Sequence, residues 1–215
     1  MRNTGKTKEK TIQKPDLHAE PEPMTLEEIR SFQRIEGVRL DNETIQEVHA
    51  DQFLECIWNR VNASGSFRGI RFSDVIFDHC DFSNAIFDET SFVRCQFSQC
   101  RMTGISLIDA SFTDVTLEKC TCAYANLSCT RWNRASFDEV VLKEAAFGES
   151  LLNAVSVHAC DFTGCELPGT SLKDVDLSDS VLQNIMIRPE DIRGAVLSAE
   201  QAVICAQLLD VKIKY

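Results

Sequence analysis

Long apolar runs, basic charge and paired cysteines are all scarce in this sequence. No apolar run approaches the roughly 18–20 residues that a membrane-spanning helix needs. The first twenty residues lack the apolar core of a secretory signal, so we expect a cytoplasmic protein that does not bind membranes. The 22 Lys and Arg residues are outnumbered by 33 Asp and Glu residues, and the net charge of −11 disfavours direct binding to nucleic acid.

Motifs for catalysis and for metal binding are also missing. The sequence contains no nucleophile–base motif, no phosphate-binding loop and no HExxH. Its ten cysteines include no CxxC pair, which zinc sites usually contain, and the nearest two are Cys120 and Cys122. We therefore predict a folded protein that is not an enzyme and that carries no cofactor or metal.

A five-residue period dominates the sequence. From Phe72 to Ile187 every fifth residue is apolar, 24 times in succession, and all but Cys122 are bulky. The residue two positions earlier is always small or β-branched, and the other three positions are mostly polar. The aromatic residues that we assign to the core are Phe72, Phe77, Phe82, Phe87, Phe92, Phe97, Phe112, Trp132, Phe137, Phe147 and Phe162.

This period fits neither a helix nor a flat strand. Five residues of α-helix advance about 500°, which would scatter the bulky residues around the axis. In a flat strand, successive fifth residues would point to opposite faces. A chain that points every fifth residue inward must turn a corner in each five, and repeated corners close into coils that stack around a continuous column of side chains.

The pattern resembles the pentapeptide-repeat family, whose consensus is roughly A(D/N)LXX. Good matches are Cys80-Asp81-Phe82, Ala125-Asn126-Leu127, Cys160-Asp161-Phe162 and Val175-Asp176-Leu177. The resemblance covers about residues 67–197 and implies an all-β fold, a right-handed quadrilateral β-helix with about twenty residues per coil. At the usual strand spacing of about 4.8 Å, the roughly six coils would be about 30 Å long.

The ends of the repeat predict further segments. Residues 1–24 are polar and are expected to form a flexible tail, and residues 25–66 to form a helix followed by one irregular coil. Thr25 and Glu28 form a capping-box pattern before residues 26–35, where apolar residues recur at helical spacing. Residues 198–215 follow the β-helix of 67–197, and a second cap, Ser198 with Gln201, predicts another helix there.

The C-terminal segment also ends in an alternating strand pattern, residues 211–215. A terminal helix and strand of this kind resembles the module that joins two rods end to end in dimeric pentapeptide proteins. That resemblance implies a homodimer, and the residues we assign to it are Val203, Ala206, Leu209, Val211, Ile213 and Tyr215. The alternative is that the module only caps its own rod.

The inward positions and the outer sides of the predicted coils carry different residues. Six cysteines occupy the small inward position and are expected to be buried thiols: Cys80, Cys95, Cys100, Cys120, Cys160 and Cys165. Grouping blocks of five at twenty-residue intervals gives one side with six acids and one base. These acids, which we assign to partner binding, are Asp78, Glu118, Asp138, Glu139, Asp176 and Asp179.

Shape and charge suggest two functions. A rod about as wide as a duplex with rows of carboxylates could occupy a basic groove built for DNA. Loop-free pentapeptide proteins of the Qnr and MfpA type, which this chain resembles, are DNA mimics that bind DNA gyrase and topoisomerase IV and protect them from fluoroquinolones. The alternative is a general interaction scaffold with an unknown protein partner, whose acidic surface serves solubility.

Overall fold

The computed structural model describes residues 11–207, in which short parallel strands are the main regular elements. The elements in chain order are β1 (Glu22–Pro23), α1 (Leu26–Ile29), β2 (Arg34–Glu36), β3 (Val38–Asp41), β4 (Thr44–Ile45), β5 (Gln52–Leu54), β6 (Ile57–Asn59), β7 (Asn62–Ala63), β8 (Arg71–Ser73), β9 (Ile76–Asp78), β10 (Ser91–Ser98), β11 (Ser111–Glu118), β12 (Arg131–Asp138), β13 (Leu151–His158) and α2 (Ala199–Gln207). No helix in this part of the chain is both long enough and apolar enough to cross a membrane.

From β8 and β9 onward, the strands stack at a constant offset of twenty residues. Phe92 of β10 lies beside Phe112 of β11, which lies beside Trp132 of β12, and all these pairings are parallel. The other two sides of each coil are held by single bridges such as Asp81 to Arg101 and Ile86 to Ser106. Since each of these twenty-residue coils has four five-residue sides, the predicted quadrilateral β-helix is confirmed.

A left-handed residue makes almost every corner. From Asp74 to Asn184 positive φ recurs every fifth residue, two positions after the core residue, with Asp179 as the exception. It lies between 49° and 59° at Asp74, His79, Asn84, Glu89 and Arg94. One residue in this conformation reverses the local twist and redirects the chain, which gives the turn that the period requires. Such a conformation costs roughly 1 kcal/mol at a non-glycine residue, so the stacked coils must stabilise it.

Aromatic rings fill the axis of the rod. Phe72, Phe92, Phe112 and Trp132 stack face to face, with ring centroids 5.3, 5.0 and 3.7 Å apart in turn. Every aromatic residue predicted for the core is buried, with at most 7% of its surface exposed. The large rings occupy the centre and the small residues lie beside them, as the period predicts.

The segment before Phe67 contains two coils, so the expectation of one irregular coil in residues 25–66 is wrong. Ile35 pairs with Phe53, eighteen residues later, and Phe53 pairs with Phe72, nineteen residues later. These two coils are shorter than the twenty-residue coils that follow. The bulky residues therefore leave the register of the later repeat without leaving the column.

The shortening is concentrated at one glycine. A Cβ atom at Gly65 would lie 1.7 Å from the carbonyl oxygen of Gln46 in the previous coil. The Gly65 carbonyl itself accepts a hydrogen bond from the N–H of Ile86 in the next coil. The backbones of consecutive coils approach too closely here for any side chain.

The predicted N-terminal helix is shorter than its apolar spacing suggested. Thr25 and Glu28 form the expected capping box, but α1 ends at Ile29. Phe32 is 48% exposed, and Ile35 is buried in β2, where it packs in the first coil. Pairing of β2 with β5 outweighs the helical periodicity, because it buries Ile35 and satisfies the backbone at the same time.

Residues 11–24 lie against the rod, which differs from the expected flexible tail. The N–H groups of Gln13, Asp16 and His18 donate to the carboxylates of Asp114, Asp74 and Glu55, at 3.2, 3.0 and 3.1 Å. Each accepting residue has positive φ and lies on the same corner of a different coil. We call residues 11–20 the N-terminal strap. Residues 1–10 lie outside the described residues.

Helix α2 covers the other end. Ser198 and Gln201 form the predicted cap, since the Gln201 N–H donates to Ser198 Oγ and the Ser198 N–H to Gln201 Oε1. Gln201 Nε2 also donates to the carbonyl oxygens of Leu177 and Ser180, at 2.7 and 2.6 Å. The cap therefore fixes the helix to the last coils as well as starting it.

Candidate functional site: the acidic wall

The six acids predicted for partner binding lie along one side of the rod, and we call them the acidic wall: Asp78, Glu118, Asp138, Glu139, Asp176 and Asp179. The parallel register places Asp78, Glu118 and Asp138 in one straight row. Ser98 separates the first two, and His158 follows the third. The polypeptide supplies one position of this row per coil, so the row repeats at the strand spacing of about 4.8 Å.

Bases interrupt the acidic wall. His79 Nδ1 lies 2.9 Å from Asp78 Oδ1. Lys119 Nζ lies 3.6 Å from Glu118 and 3.9 Å from Glu139. The five side chains of these three pairs are all solvent-accessible, so each pair contributes at most about 1 kcal/mol to stability. The wall is therefore an alternating surface, less negative than its acids alone would make it.

Asp179 is the most firmly held acid of the wall. His158 Nδ1 lies 2.5 Å from its Oδ2, and Ser180 Oγ donates to its Oδ1 at 3.3 Å. Partial burial would raise the pKa of Asp179, but hydrogen bonds from the Ala159 N–H, His158 and Ser180 lower it overall. This carboxylate is therefore ionised at neutral pH and fixed in position.

Asp138 and Asp176 carry the uncompensated charge. Within residues 11–207 neither has a salt-bridge partner. Asp138 Oδ1 is buried and has no hydrogen-bond partner in this part of the chain. Asp176 is exposed, and one of its oxygens accepts the N–H of Ser178. A buried carboxylate oxygen without a donor gains most from an arriving cation or N–H group.

Two further polar residues extend the row, and the sequence alone did not reveal them. Asn59 lies beside Asp78, and Asp41 lies beside Asn59. The shorter first coils hide them, since their spacing to Asp78 is not a multiple of twenty. Asp41 accepts two hydrogen bonds from Arg39, and that interaction with the bond from Asn59 lowers its pKa. It adds a neutralised pair to the row.

The side of the rod that carries Arg94 and Arg134 pairs both arginines with acids of the same side. Arg94 forms a two-pronged ion pair with Asp74, and Arg134 forms the same pair with Asp114. Both acids also receive N–H groups of the strap. These two arginine charges are therefore neutralised by neighbouring acids at the surface, and they offer little positive potential to a partner.

Buried thiols stabilise the backbone of the preceding coil. All ten cysteines are free, and the six at inward positions are buried as predicted. Cys100 Sγ donates to the carbonyl of Phe77 at 3.5 Å, and Thr90 Oγ1 in an equivalent position donates to Phe67 at 2.9 Å. Burial raises the pKa of Cys95 to about 12, so this thiol is not a nucleophile at neutral pH.

Metal coordination has no candidate in the described chain. Among residues 11–207 no three His, Cys, Asp or Glu side chains are arranged to hold a metal ion. The thiols that stack at twenty-residue intervals point to backbone carbonyls instead.

The C-terminal residues predicted for dimerisation are described only in part. Val203 and Ala206 lie on α2 and are half-buried. Leu209, Val211, Ile213 and Tyr215 lie outside the described residues. Dimerisation is therefore still a prediction.

Comparison with known proteins gives matches to the repeat and to the fold. Residues 70–147 match a family model described as a pentapeptide repeat region, and residues 158–187 match one described as pentapeptide repeats. Together these matches cover 108 of the 215 residues. No curated protein sequence matches the chain significantly.

Solved structures with similar coils have very different sequences. A trypsin-treated form of QnrB1, a plasmid-mediated fluoroquinolone resistance protein, is 17% identical with a TM-score of 0.42, over 84% of this chain and 99% of that chain. HetL of the cyanobacterium Nostoc sp., involved in heterocyst differentiation regulation, is 18% identical with a TM-score of 0.34, over 79% of this chain and 87% of that chain. Likeness at this level carries no argument about function.

Proposed function

This chain belongs to the pentapeptide-repeat family, and from that premise we propose that it is a non-enzymatic, cytoplasmic rod that binds another protein through its acidic wall. The observation that carries the proposal is the straight row of Asp78, Glu118 and Asp138 on a convex outer side. Aromatic rings occupy the axis behind this row, so recognition must use the outer surface.

The spacing of the wall supports a partner that otherwise binds DNA. From Asp78 to Asp179 the wall spans five coils, about 24 Å at the strand spacing. One strand of a duplex carries about seven phosphates over that length. The wall presents six carboxylates over it, so a groove lined by Lys and Arg would meet a comparable number of negative groups on one edge.

The finer proposal is that the partner is a type II topoisomerase, DNA gyrase or topoisomerase IV, and that the rod acts as a DNA mimic. The support is the resemblance of the repeat to loop-free members of the Qnr and MfpA type, together with the row of carboxylates. A rod in the DNA-binding groove would reduce the DNA that a fluoroquinolone can trap there. It would also compete with DNA at higher concentration.

A supercoiling assay tests this proposal. Purified DNA gyrase is assayed with and without a fluoroquinolone over a range of concentrations of this protein. We expect low concentrations to restore supercoiling in the presence of the drug and high concentrations to inhibit it in its absence. If neither effect occurs, gyrase is not the partner.

Charge reversal shows whether the acidic wall is the contact. The variant Glu118→Lys, Asp138→Lys, Glu139→Lys should lose both effects, because it replaces the centre of the wall by bases. A matched control, Glu89→Lys, Asp109→Lys, Glu149→Lys, changes the charge equally on the opposite side and should keep both effects. Circular dichroism should show the same fold in each. If only the control lost both effects, the partner would bind the opposite side and the acidic wall would not be the contact.

A general scaffold is the second candidate, and the interrupted wall favours it. His79, Lys119 and His158 each lie within 4 Å of a wall carboxylate. A strictly DNA-like surface would not place bases there, whereas a partner with mixed charges would match them. Binding that changes little between 50 and 200 mM salt would favour the scaffold, since a DNA mimic should weaken steeply.

We also propose a homodimer through the C-terminal module. The support is the terminal helix α2, on which Val203 and Ala206 are only half-buried. Light scattering should give twice the chain mass for the native protein and a single chain mass for Val203→Asp. Ala202→Asp, at an exposed position of the same helix, is the matched control and should remain a dimer. A native mass of one chain would leave the module as a simple cap.

A further inference from the structure

The N-terminal strap covers a row of alternating charge on one corner of the rod. The row consists of Glu55, Asp74, Arg94, Asp114 and Arg134, which all have positive φ and follow one another one coil apart, and we call it the corner ladder. Arg94 Nε donates to Asp74 Oδ1, and Arg134 Nε donates to Asp114 Oδ1, both at 2.6 Å. Each arginine reaches back one coil, so the ladder contains two identical Asp–Arg units two coils apart.

Each Asp–Arg unit accepts one main-chain N–H group of the strap. Asp114 Oδ1 accepts from Gln13 at 3.2 Å, and Asp74 Oδ1 accepts from Asp16 at 3.0 Å. The hydrogen bond from Arg134 lowers the pKa of Asp114 and that from Gln13 lowers it further, against the opposing effect of burial. Only 3% of Asp114 and 7% of Asp74 is exposed. Buried carboxylates need their donors, so a strap that left the corner would have to be replaced by another donor.

The spacing of the two units matches the repeat of an extended peptide. Two coils rise about 9.6 Å. Three residues of extended chain, the separation of Gln13 and Asp16, span about 10 Å. A polyproline II helix has three residues per turn and rises about 9.3 Å per turn. A peptide in that conformation therefore presents the N–H group of every third residue on one face, at the spacing of the Asp–Arg units.

Proline is compatible with the positions between the two contacts. Pro15 lies between Gln13 and Asp16 and has no N–H group to offer. Within residues 11–207 the N–H group of Lys14 makes no hydrogen bond either. Proline also favours the extended conformation in the residue before it. A segment bound here therefore needs a donor only at every third residue, and both positions between can be proline.

The strap is held by its main chain and packs loosely. None of residues 11–20 is buried. A polar cleft of about 530 Å³, partly open to solvent, lies between the strap and the side chains of Asp74 and Arg94. The strap side chain that bonds to the ladder is His18, whose Nδ1 lies 2.9 Å from Glu55 Oε1. Contacts through N–H groups do not depend on the side chains that carry them, so another extended segment can take the place of the strap.

We propose that the corner ladder is a docking surface for an extended, proline-rich segment of a partner protein, and that the strap occupies it as an exchangeable internal ligand. The segment offers one N–H group in every three residues to the Asp–Arg units. A basic side chain beside Glu55 takes the place of His18. The ladder shares no residue with the acidic wall, so binding here is independent of DNA mimicry.

NMR titration of the full chain with a peptide of repeating Ala-Pro-Pro, which offers one N–H group in every three residues, tests this assignment. The variant Gln13→Pro, Asp16→Pro removes the two N–H groups that hold the strap and leaves the ladder intact. The peptide should shift the Nε–H signals of Arg94 and Arg134 in this variant, with a Kd at least tenfold lower than for the native protein, because the strap no longer competes. Lys14→Pro removes an unused N–H group, and this matched control should bind like the native protein.

A second peptide and a second pair of variants show what the ladder recognises. Oligoproline of the same length has the same conformation but lacks the internal N–H groups, and it should bind at least tenfold more weakly. Asp114→Ala, added to the double proline variant, should weaken binding at least tenfold. Asp109→Ala, at the preceding corner, should not, and circular dichroism should show the same fold for both.

Three results would overturn the proposal. The first is equal affinity of the native protein and the double proline variant for the Ala-Pro-Pro peptide. The second is equal binding of the two peptides, since recognition would then not use N–H groups. The third is an absence of shifts at Arg94 and Arg134 in the double proline variant, which would leave the strap as a permanent clasp.

Discussion

Removing one ring from the middle of the aromatic stack should strongly destabilise the rod. Phe92 is 2% exposed and stacks between Phe72 and Phe112, with centroid distances of 5.3 and 5.0 Å and interplanar angles below 10°. Its edge also meets Phe97 at 5.4 Å. The hydrogen bonds of the neighbouring strands hold the coil spacing fixed, so the site of Phe92→Ala has little freedom to collapse.

We expect Phe92→Ala to lower the free energy of unfolding by about 4–5 kcal/mol, the upper part of the range for buried Phe→Ala, because the lost stacking adds to the cavity. Urea unfolding followed by circular dichroism measures the change. Phe32→Ala is the matched control: its ring is 48% exposed, and the loss should be below about 1 kcal/mol. A loss below about 2 kcal/mol for Phe92→Ala would refute the assignment of a tightly packed axis.

Three further predictions follow from local geometry. Gly65→Ala should lower the free energy of unfolding by about 3 kcal/mol or more, because its Cβ would collide with a backbone carbonyl; a change below about 0.5 kcal/mol in urea would contradict the close approach. At pH 8 a thiol reagent should label only the two half-buried cysteines of the native protein, Cys129 and Cys205, and all ten after unfolding; labelling of more than two would contradict the buried thiols. The hydrogen bond and the charge of Glu55 raise the pKa of His18. The ion pair between His18 of the strap and Glu55 therefore contributes fully below about pH 6.5, and its contribution is lost as pH rises through the folded pKa. NMR titration should show a raised pKa for His18 that returns to its ordinary value in Glu55→Gln. If the His18 titration is the same in both proteins, the His18–Glu55 pair does not hold the strap.

The regular part of the fold could be predicted because each five-residue block repeats the same local requirement. Phe72, Phe92 and Phe112 each need an inward position and a corner two residues later, so one rule fixes their common column. The first coils could not be predicted in this way. Ile35 and Phe53 obey the same packing, but coils of eighteen and nineteen residues shift their register, and a change of coil length leaves only a weak trace in the sequence.

Contacts made by the main chain were also beyond prediction. Every residue except proline carries an N–H group, so nothing in the sequence distinguishes Gln13 or Asp16 as donors to carboxylates of the rod. The acids of the wall were identified because spacing by twenty places side chains in rows. Their histidine partners were not, since His79 and His158 read as isolated outward residues until the corners and coils were placed.

The same reasoning explains why β13 forms no bridge with residues 171–178 of the following coil. The bulky position continues through Leu152 and Leu172 without a break, so the period predicts an uninterrupted stack. Aliphatic side chains are narrower than the rings before them, and the coils they fill need not keep the same spacing. Whether two such coils pair along all four sides depends on packing, which a count of apolar residues does not contain.

Competition between this protein and DNA for DNA gyrase tests the central claim most directly. Binding of labelled protein to purified gyrase is measured at rising concentrations of linear duplex DNA. If the acidic wall occupies the DNA groove, the apparent Kd should rise in proportion to the DNA concentration, and the variant with Glu118, Asp138 and Glu139 changed to Lys should not bind. Simultaneous binding of protein and DNA, or undiminished binding of that variant, would contradict the account.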